Sequence, residues 1–401
     1  MSKQIQEAYV VAAVRSPVGK APRGMLKNVR PDDLLAHVLK AAMAKVPGLD
    51  PALVEDVVVG CAMPEGEQGM NVARIGALLA GLPNTVGGIT INRFCSSGIN
   101  AVALAADKIR LGEADVMIAA GTESMSMVPM GGNKLSLGSS IYERDENVAI
   151  AYGMGLTAEK VAQQWGISRE DQDAFALQSH TRALAAAASD AFSDEIAPLD
   201  VTYRVPNLAT GEVELVSKTI TQDEGPRADT SLEGLAKLKT VFSAKGSVTA
   251  GNSSQMSDGA AALILVSEKI LKQFNLTPLA KYVTFAVKGV PPAIMGIGPK
   301  EAIPAALKQA GLSLDQLEWI ELNEAFAAQA LAVSRDLGLD MSKVNPNGGA
   351  IALGHPLGAT GAIRATTLIH GLRRQGKAGS YGMVTMCIGT GMGAAGILQV
   401  L

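Results

Sequence analysis

ITINRFCSSGINAVALAADKIRLGEADVMIAAGT (residues 89–122) is the stretch whose reading decides the fold. Ile89–Phe94 is a short apolar run and predicts a strand. Ser96–Leu111 predicts a helix that stops at Gly112. Ala114–Ala120 is a continuous apolar run and predicts a second strand. This strand–helix–strand grammar predicts an α/β fold with largely parallel sheets buried on both faces.

The same grammar extends outward. Ala8–Val14 and Val54–Gly60 predict buried strands. Pro31–Val46 predicts a helix between them, with Leu35, Val38, Leu39, Ala42 and Met43 on one stripe and Pro47-Gly48 as the stop. After Lys245 the pattern returns. Ala260–Val266, Lys281–Val290, Trp319–Leu322 and Gly382–Cys387 predict strands, and Gly358–Leu372 a helix. The middle, from about Thr122 to Ser247, is broken, Met/Gly-rich and more charged. It predicts helices over Thr157–Trp165 and Arg169–Ser189, the latter capped by Ser168, and another short one over Arg227–Leu238. It reads as an insertion with few strands.

The two ends repeat one order of elements. A loop (Asn92–Gly98) leads into a helix, a polar link and the strand Val116–Ala120, which ends in Gly121-Thr122. In the second half the loop Asn345–Pro356 leads into a helix, the basic link Arg373–Gly379 and a strand ending in Cys387-Ile-Gly-Thr-Gly391. Duplicated halves would bring matching strand-end loops together, where α/β sheets place their ligand sites.

Composition narrows the function. The 401 residues suffice, at roughly 150 per domain, for two or three units. With 48% hydrophobic and 18% charged residues, the chain is too apolar for disorder. Aromatics are scarce, so small and aliphatic side chains must fill the core. The 43 glycines lack a triplet period, which excludes collagen and implies tight turns and close backbone contacts. A net charge of −3 argues against nucleic-acid or membrane-surface binding. No apolar run reaches the ~18–20 residues of a membrane span. The N-terminus lacks a secretory or organelle-targeting pattern, and GILQVL carries no retention or peroxisomal tripeptide. The reading is a cytoplasmic protein. Three cysteines (Cys61, Cys95, Cys387) cannot form a disulfide framework. With four histidines and no CxxC, HxxxH or HExxH, a zinc site is not expected.

Four motifs carry candidate chemistry. Asn-Arg-Phe-Cys-Ser-Ser-Gly (92–98) places Cys95 between a strand and the first turn of a helix. Free N–H groups and the helix dipole there favour a thiolate and should draw the thiol toward neutrality. The alternative is a buried structural cysteine. Gly348–Gly361 holds His355 among glycines and a proline, on a fixed, open backbone suited to a base; the alternative is a solvated loop histidine. Cys387–Gly393 sets a second thiol at a strand end before a glycine turn that can aim N–H groups at an oxyanion, or else holds a core cysteine. Asn-Glu-Ala-Phe-Ala (323–327) follows a strand, where Asn323 and Glu324 can hold a water or orient a histidine, or else Asn323 caps a helix with Glu324 in its first turn. Cys61 reads as packing, and His37, His180 and His370 as surface or packing residues on helices. Gly391–Gly396 matches GxGxxG but the chain ends too soon for a βαβ unit. Gly371–Lys377 nearly matches a P-loop but falls at a helix end and is followed by Ala378.

Together and in this order, these motifs resemble the thiolase family. The likeness spans nearly the whole chain. It includes Ala13–Gly19, Gly121–Ser126, Val248–Ser254 and Asp258-Gly259-Ala260. It implies two similar α/β halves stacked as five layers, α-β-α-β-α, with an inserted loop domain. The expected boundaries are 1–124 with 248–274 for the N-terminal half, 125–247 for the insertion and 275–401 for the C-terminal half. Homodimers or homotetramers are implied as well.

The resemblance also implies roles. Cys95 would be the nucleophile toward a 3-ketoacyl-CoA, with His355 taking its proton. The N–H groups of Cys95 and Gly389 would form one oxyanion hole. His355 and a water on Asn323 would form a second. Cys387 would protonate the acetyl-CoA enolate and deprotonate incoming CoA. CoA, a substrate rather than a resident cofactor, would meet Ser254 at its pantetheine, Met154 and Phe326 along its tunnel, and Arg227 near its nucleotide. No metal is implied.

One departure bears on substrate. Biosynthetic acetoacetyl-CoA thiolases usually place His where Gly153 stands. With Arg93 and Met125–Lys134, this favours a degradative 3-ketoacyl-CoA thiolase. The alternatives are a short-chain acetyl-CoA acetyltransferase, a decarboxylating ketosynthase (which uses a second His at the place of Cys387), and a non-catalytic acyl-CoA or lipid-binding relative.

Overall fold

A computed structural model describes residues 5–401. The first half contains β1 (Ala8–Arg15), β2 (Gly19–Lys20), α1 (Pro31–Ala44), β3 (Asp56–Gly60), α2 (Val72–Leu79), β4 (Ile89–Ile91), α3 (Ser97–Arg110) and β5 (Val116–Ser124). Next come α4 (Asp145–Val148), α5 (Met154–Trp165), α6 (Arg169–Ala188), the hairpin β6 (Leu199–Pro206) and β7 (Val213–Ile220), and α7 (Leu232–Ala236). β8 (Ser257–Ser267) returns to the main sheet, and α8 (Glu268–Gln273) leads onward. The rest is β9 (Ala280–Gly289), α9 (Gly298–Ala310), β10 (Leu317–Leu322), α10 (Ala327–Leu337), α11 (Ala350–Leu353), α12 (Leu357–Arg374), β11 (Tyr381–Ile388) and β12 (Met392–Val400).

Local chemistry starts and stops these helices. Pro31 opens α1, and Asp32 and Asp33 in its first turn suit the dipole. Ser168 caps α6 by accepting the Asp171 N–H. Gly311 and Gly338 end α9 and α10 in left-handed conformations.

The main strands form one sheet in the order β10-β11-β12-β9-β1-β8-β5-β3-β4. The expectation of largely parallel sheets fails. Only β3 with β4 and β5, and β10 with β11, are parallel. The others in this order are antiparallel. Helices α2 and α3 carry the crossovers that make β3, β4 and β5 parallel, whereas β11 and β12 meet in a tight hairpin. The continuous apolar runs reflect burial on both faces, and they carry no information on strand direction. Ile89–Phe94 also stops short as a strand. The chain leaves it after Ile91 and turns through Phe94, at φ +44°.

β1 joins β9 through only two residue pairs, Tyr9 with Lys281 and Val10 with Ala280. The sheet folds at this join and encloses α3 and α12. One apolar cluster unites both helices with residues of β1, β5 and β8 on one side and β9, β11 and β12 on the other. A second lies between α1, α2 and the outer face of the first half-sheet. A third lies between α9, α10 and the second half-sheet. The result is five layers.

The two central helices cross at glycines. A Cβ on Gly98 would lie 2.5 Å from the Ala362 nitrogen, and one on Gly361 would lie 2.3 Å from the Ile99 nitrogen. Backbone therefore meets backbone where the two helices begin. This crossing brings the loops before α3 and α12 together, and these loops carry Cys95 and His355. Among the described residues, no helix is long and apolar enough to cross a membrane.

Candidate active site

A cavity of about 520 Å³ opens at this crossing. Cys95, His355 and Cys387 share its wall with Met154, Ser254 and Phe326. Residues far apart along the chain thus converge on one space.

Cys95 sits in a single 3-10 turn, Phe94–Ser96, just before α3. Its own backbone N–H and that of Gly389 act on the sulfur to lower its pKa. Gly389 comes from the β11–β12 hairpin, where Thr390 and Gly391 adopt positive φ. The thiol does not behave as its position at a helix start suggests. Burial outweighs both N–H groups, Glu123 adds a like charge, and the pKa rises to about 12. The expected fall toward neutrality is therefore reversed. The cavity wall around the sulfur is largely apolar (Met125, Met154, Phe326, Leu357), and an ion there loses its water.

His355 lies in the turn between α11 and α12. Gly354 before it has φ +92°, and a Cβ there would strike the Ser257 hydroxyl at 2.4 Å. The His355 N–H meets the Ser257 hydroxyl at 3.1 Å. Nδ1 lies 2.6 Å from the Thr360 hydroxyl. Nε2 lies 3.4 Å from the Asn323 amide nitrogen. That nitrogen only donates, so Nε2 accepts and the proton sits on Nδ1, facing Thr360. Burial, with the charge of Arg364, lowers the His355 pKa to about 3. The resting pair is thus a neutral thiol and a neutral imidazole.

Two expected results follow. Thr360→Val should lower kcat roughly 10- to 100-fold with little change in KM, by freeing the imidazole to rotate. Thr360→Ser should restore most of that loss in steady-state assays. The rate of Cys95 alkylation by iodoacetamide should keep climbing with pH to 10 or beyond, since only the thiolate reacts. A plateau near neutrality would contradict the elevated thiol pKa.

Asn323 follows β10 and does not cap a helix; α10 begins at Ala327. Its N–H bonds Thr385 O at 2.9 Å, while its Oδ1 is buried without a partner. Cys387, near the end of β11, is almost fully buried, in a cluster with Ala158, Val248, Met295, Ala325 and Phe326. Burial and the neighbouring Cys95 drive its pKa well above the ordinary thiol range.

The remaining predicted residues fall along one path. Met154 opens α5, with its sulfur near Gly389. Phe326 packs edge-to-face on Phe242 at 6.1 Å. Ser254 donates its N–H to Ala325 O at 2.9 Å. Arg227 lines a second cavity of about 420 Å³, which shares Lys20, Ala250 and Gln255 with the first. Arg227 is therefore separate from the thiol cluster but continuous with it. It pairs with Asp229 at 3.0 Å, and Lys237 pairs with Glu233 at 2.5 Å, so the local cations are partly neutralised.

The sequence reading missed several residues. His180 is more than a packing residue: it lines the second cavity, and its Nδ1 accepts the Arg227 N–H at 3.2 Å. Burial, then the charges of Arg227 and Lys20, lower its pKa to about 4. Glu123 accepts N–H bonds from Ala62 at 2.7 Å and Gly358 at 2.8 Å, and so ties the first half to the start of α12. Glu324, which the sequence offers as a residue to orient a histidine or else as a first-turn carboxylate, accepts from Ser179 at 2.6 Å, Asn345 at 2.8 Å and Ile351 at 3.1 Å, and so braces the loop that presents His355. The only signal for Glu123 in the sequence is a place beside a strand end, shared with many structural carboxylates. Among the described residues, no group of three or more His, Cys, Asp or Glu side chains could hold a metal ion.

Comparison with known proteins agrees along the full length. The family model described as thiolase, N-terminal domain, matches residues 8–269, and thiolase, C-terminal domain, matches 276–400. A 3-ketoacyl-CoA thiolase of Bacillus subtilis (strain 168) is 50% identical over 397 residues, covering 99% of this chain and 100% of that protein. A crystal structure of the Bacillus anthracis acetyl-CoA acetyltransferase superposes with a TM-score of 0.89 at 42% identity, covering 100% of both chains. Human mitochondrial 3-ketoacyl-CoA thiolase gives 0.87 at 41% identity, covering 99% of both. Matched through both halves in sequence and in fold, the chain belongs to the thiolase family, the acyltransferases of CoA-dependent thiolytic cleavage.

Proposed function

We propose that this chain cleaves 3-ketoacyl-CoA with CoA into acetyl-CoA and a shortened acyl-CoA, and runs in reverse as a Claisen condensation. The observation that carries the reading is the meeting of two cysteines and a neutral histidine on the wall of one cavity.

His355 Nε2 takes the Cys95 proton as the sulfur attacks the 3-keto carbon. The N–H groups of Cys95 and Gly389 hold the resulting oxyanion. The C2–C3 bond then breaks, leaving an acyl thioester on Cys95 and an acetyl-CoA enolate. His355 and a water on Asn323 stabilise the enolate oxygen, and the unpartnered Asn323 Oδ1 supports this assignment. Cys387 protonates the enolate carbon. It then takes the thiol proton of incoming CoA, whose sulfur displaces Cys95.

CoA lies along the two joined cavities in this reading. Ser254, Met154 and Phe326 flank the pantetheine, and Arg227 sits by the nucleotide. We assign residues 1–124 with 248–274 and residues 275–401 to the catalytic halves, and 125–247 to the CoA-binding insertion. We also propose a cytoplasmic homodimer or homotetramer. The open edge of β4, with Ile89 and nearby Met70 exposed, supports assembly.

The degradative substrate range is favoured by Gly153, Arg93 and the stretch 125–134, the sequence features that set this chain apart from the biosynthetic pattern. The short-chain reading draws on the likeness to the B. anthracis acetyl-CoA acetyltransferase. Acetyl-CoA release from acetoacetyl-CoA and from a medium-chain 3-ketoacyl-CoA, each with free CoA, decides between them. We expect both to be cleaved, the longer with the greater kcat/KM. Turnover of acetoacetyl-CoA alone would favour the short-chain enzyme. Turnover of neither would leave an acyl-CoA-binding protein.

A further inference from the structure

We propose that Gln329 is a positioning residue for Cys387, donating an amide N–H to its sulfur and so favouring the thiolate. The proposal rests on the acid–base role given to Cys387 above. That role demands a thiolate, formed when the thiol gives its proton to the enolate and consumed when the sulfur takes one from CoA. Yet Cys387 is 1% exposed, in an apolar pocket. Among the described residues, the other titratable groups lining its cavity are Lys20, Cys95 and His355. The elements packed on it present neutral side chains: Met154 and Ala158 from α5, Met295, Ala325 and Phe326 from turns, and Gln329 from α10.

Gln329 is fully buried, and its amide lies 3.3 Å from the Cys387 sulfur. The two orientations of that amide are not equivalent. With nitrogen toward the sulfur, one N–H reaches Asn323 O at 3.2 Å and the oxygen accepts the Ala330 N–H at 2.7 Å. The reverse orientation sets oxygen against a carbonyl and nitrogen against an N–H, and its one compensation is a bond accepted by the oxygen from the Cys387 S–H at 3.3 Å. The satisfied orientation points the second N–H at sulfur. A thiolate accepts such a bond more strongly than a thiol, so the contact selects the charged form. The same amide bonds the Asn323 backbone. Gln329 therefore links the enolate's proton donor to the residue assigned to the enolate water.

The test follows Cys387 separately from Cys95. Deuterium uptake from D₂O into the methyl group of acetyl-CoA reports proton transfer at the enolate carbon. Iodoacetamide alkylation reports Cys95. Gln329→Met keeps the shape and removes the donor. It should slow deuterium uptake about tenfold, with Cys95 alkylation unchanged and the alkaline limb of the uptake profile moved to higher pH. Gln329→Glu should be slower still at neutral pH and recover on acidification, when its carboxyl regains an O–H to donate. Unchanged uptake in Gln329→Met overturns the proposal, as does an equal loss of uptake and Cys95 alkylation, which marks a structural role. Should the Met variant not fold, recovery of Gln329→Glu at low pH decides the matter alone, and its absence counts against the amide. If wild-type protein takes up no deuterium and cleaves no 3-ketoacyl-CoA, the functional reading fails instead.

Discussion

Cys95→Ala is expected to eliminate the acyl-enzyme and to lower kcat for thiolysis by roughly 10⁴-fold or more, as removal of a covalent nucleophile does elsewhere. Cleaving the C2–C3 bond requires somewhere for the acyl group to go, and the Cys95 sulfur is both a good nucleophile and a good leaving group. Binding should survive, because in the proposed reading CoA lies along the two joined cavities, of which Cys95 is one lining residue among many. The check is mass spectrometry of the protein after mixing with acyl-CoA, beside steady-state rates. Wild-type protein should gain an acyl mass on the peptide containing Cys95, and the variant should gain none. Normal turnover by the variant would remove the basis of the mechanism.

Cys387→Ala should give a different pattern. Acylation of Cys95 should remain partly possible, since His355 and the two N–H groups at Cys95 are untouched. The enolate would lack its proton donor, so overall thiolysis should fall roughly 10²- to 10⁴-fold, the usual worth of a positioned acid–base. Deuterium uptake into acetyl-CoA should fall in parallel. Because burial holds Cys387 protonated, the stored proton is already in place when the carbanion forms. Equal loss of acylation and of exchange would mean that Cys387 only supports the fold.

Much of this could be read from sequence, for identifiable reasons. The helix of α3 and strands such as β1 and β8 carry long apolar runs, and their approximate limits followed from those runs. The cluster of Cys95, His355 and Cys387 showed itself through glycine-dense motifs at strand and helix ends. Strand direction did not show, because β8 and β5 are equally apolar whichever way they run. The Cys95 ionisation was also misread. A helix start is visible in sequence, while the apolar cavity wall is assembled from Met125, Met154, Phe326 and Leu357, which no local pattern joins. His180 looked like one more helical residue, since its cavity includes Arg227 and Gly251 from distant segments. Gln329 and Thr360 gave no signal at all; their meaning lies in which atom they face.

The glycine-to-glycine crossing of α3 and α12 has a consequence for how acyl chains of different length are received. Cys95 and His355 stand on backbones that touch and cannot slide apart without opening the centre of the molecule. Any give must come from the opposite side of the cavity, where Met130, Val241 and Phe242 are each more than a third exposed. Selectivity can therefore drift over generations in those three side chains while the bond-breaking end stays immobile.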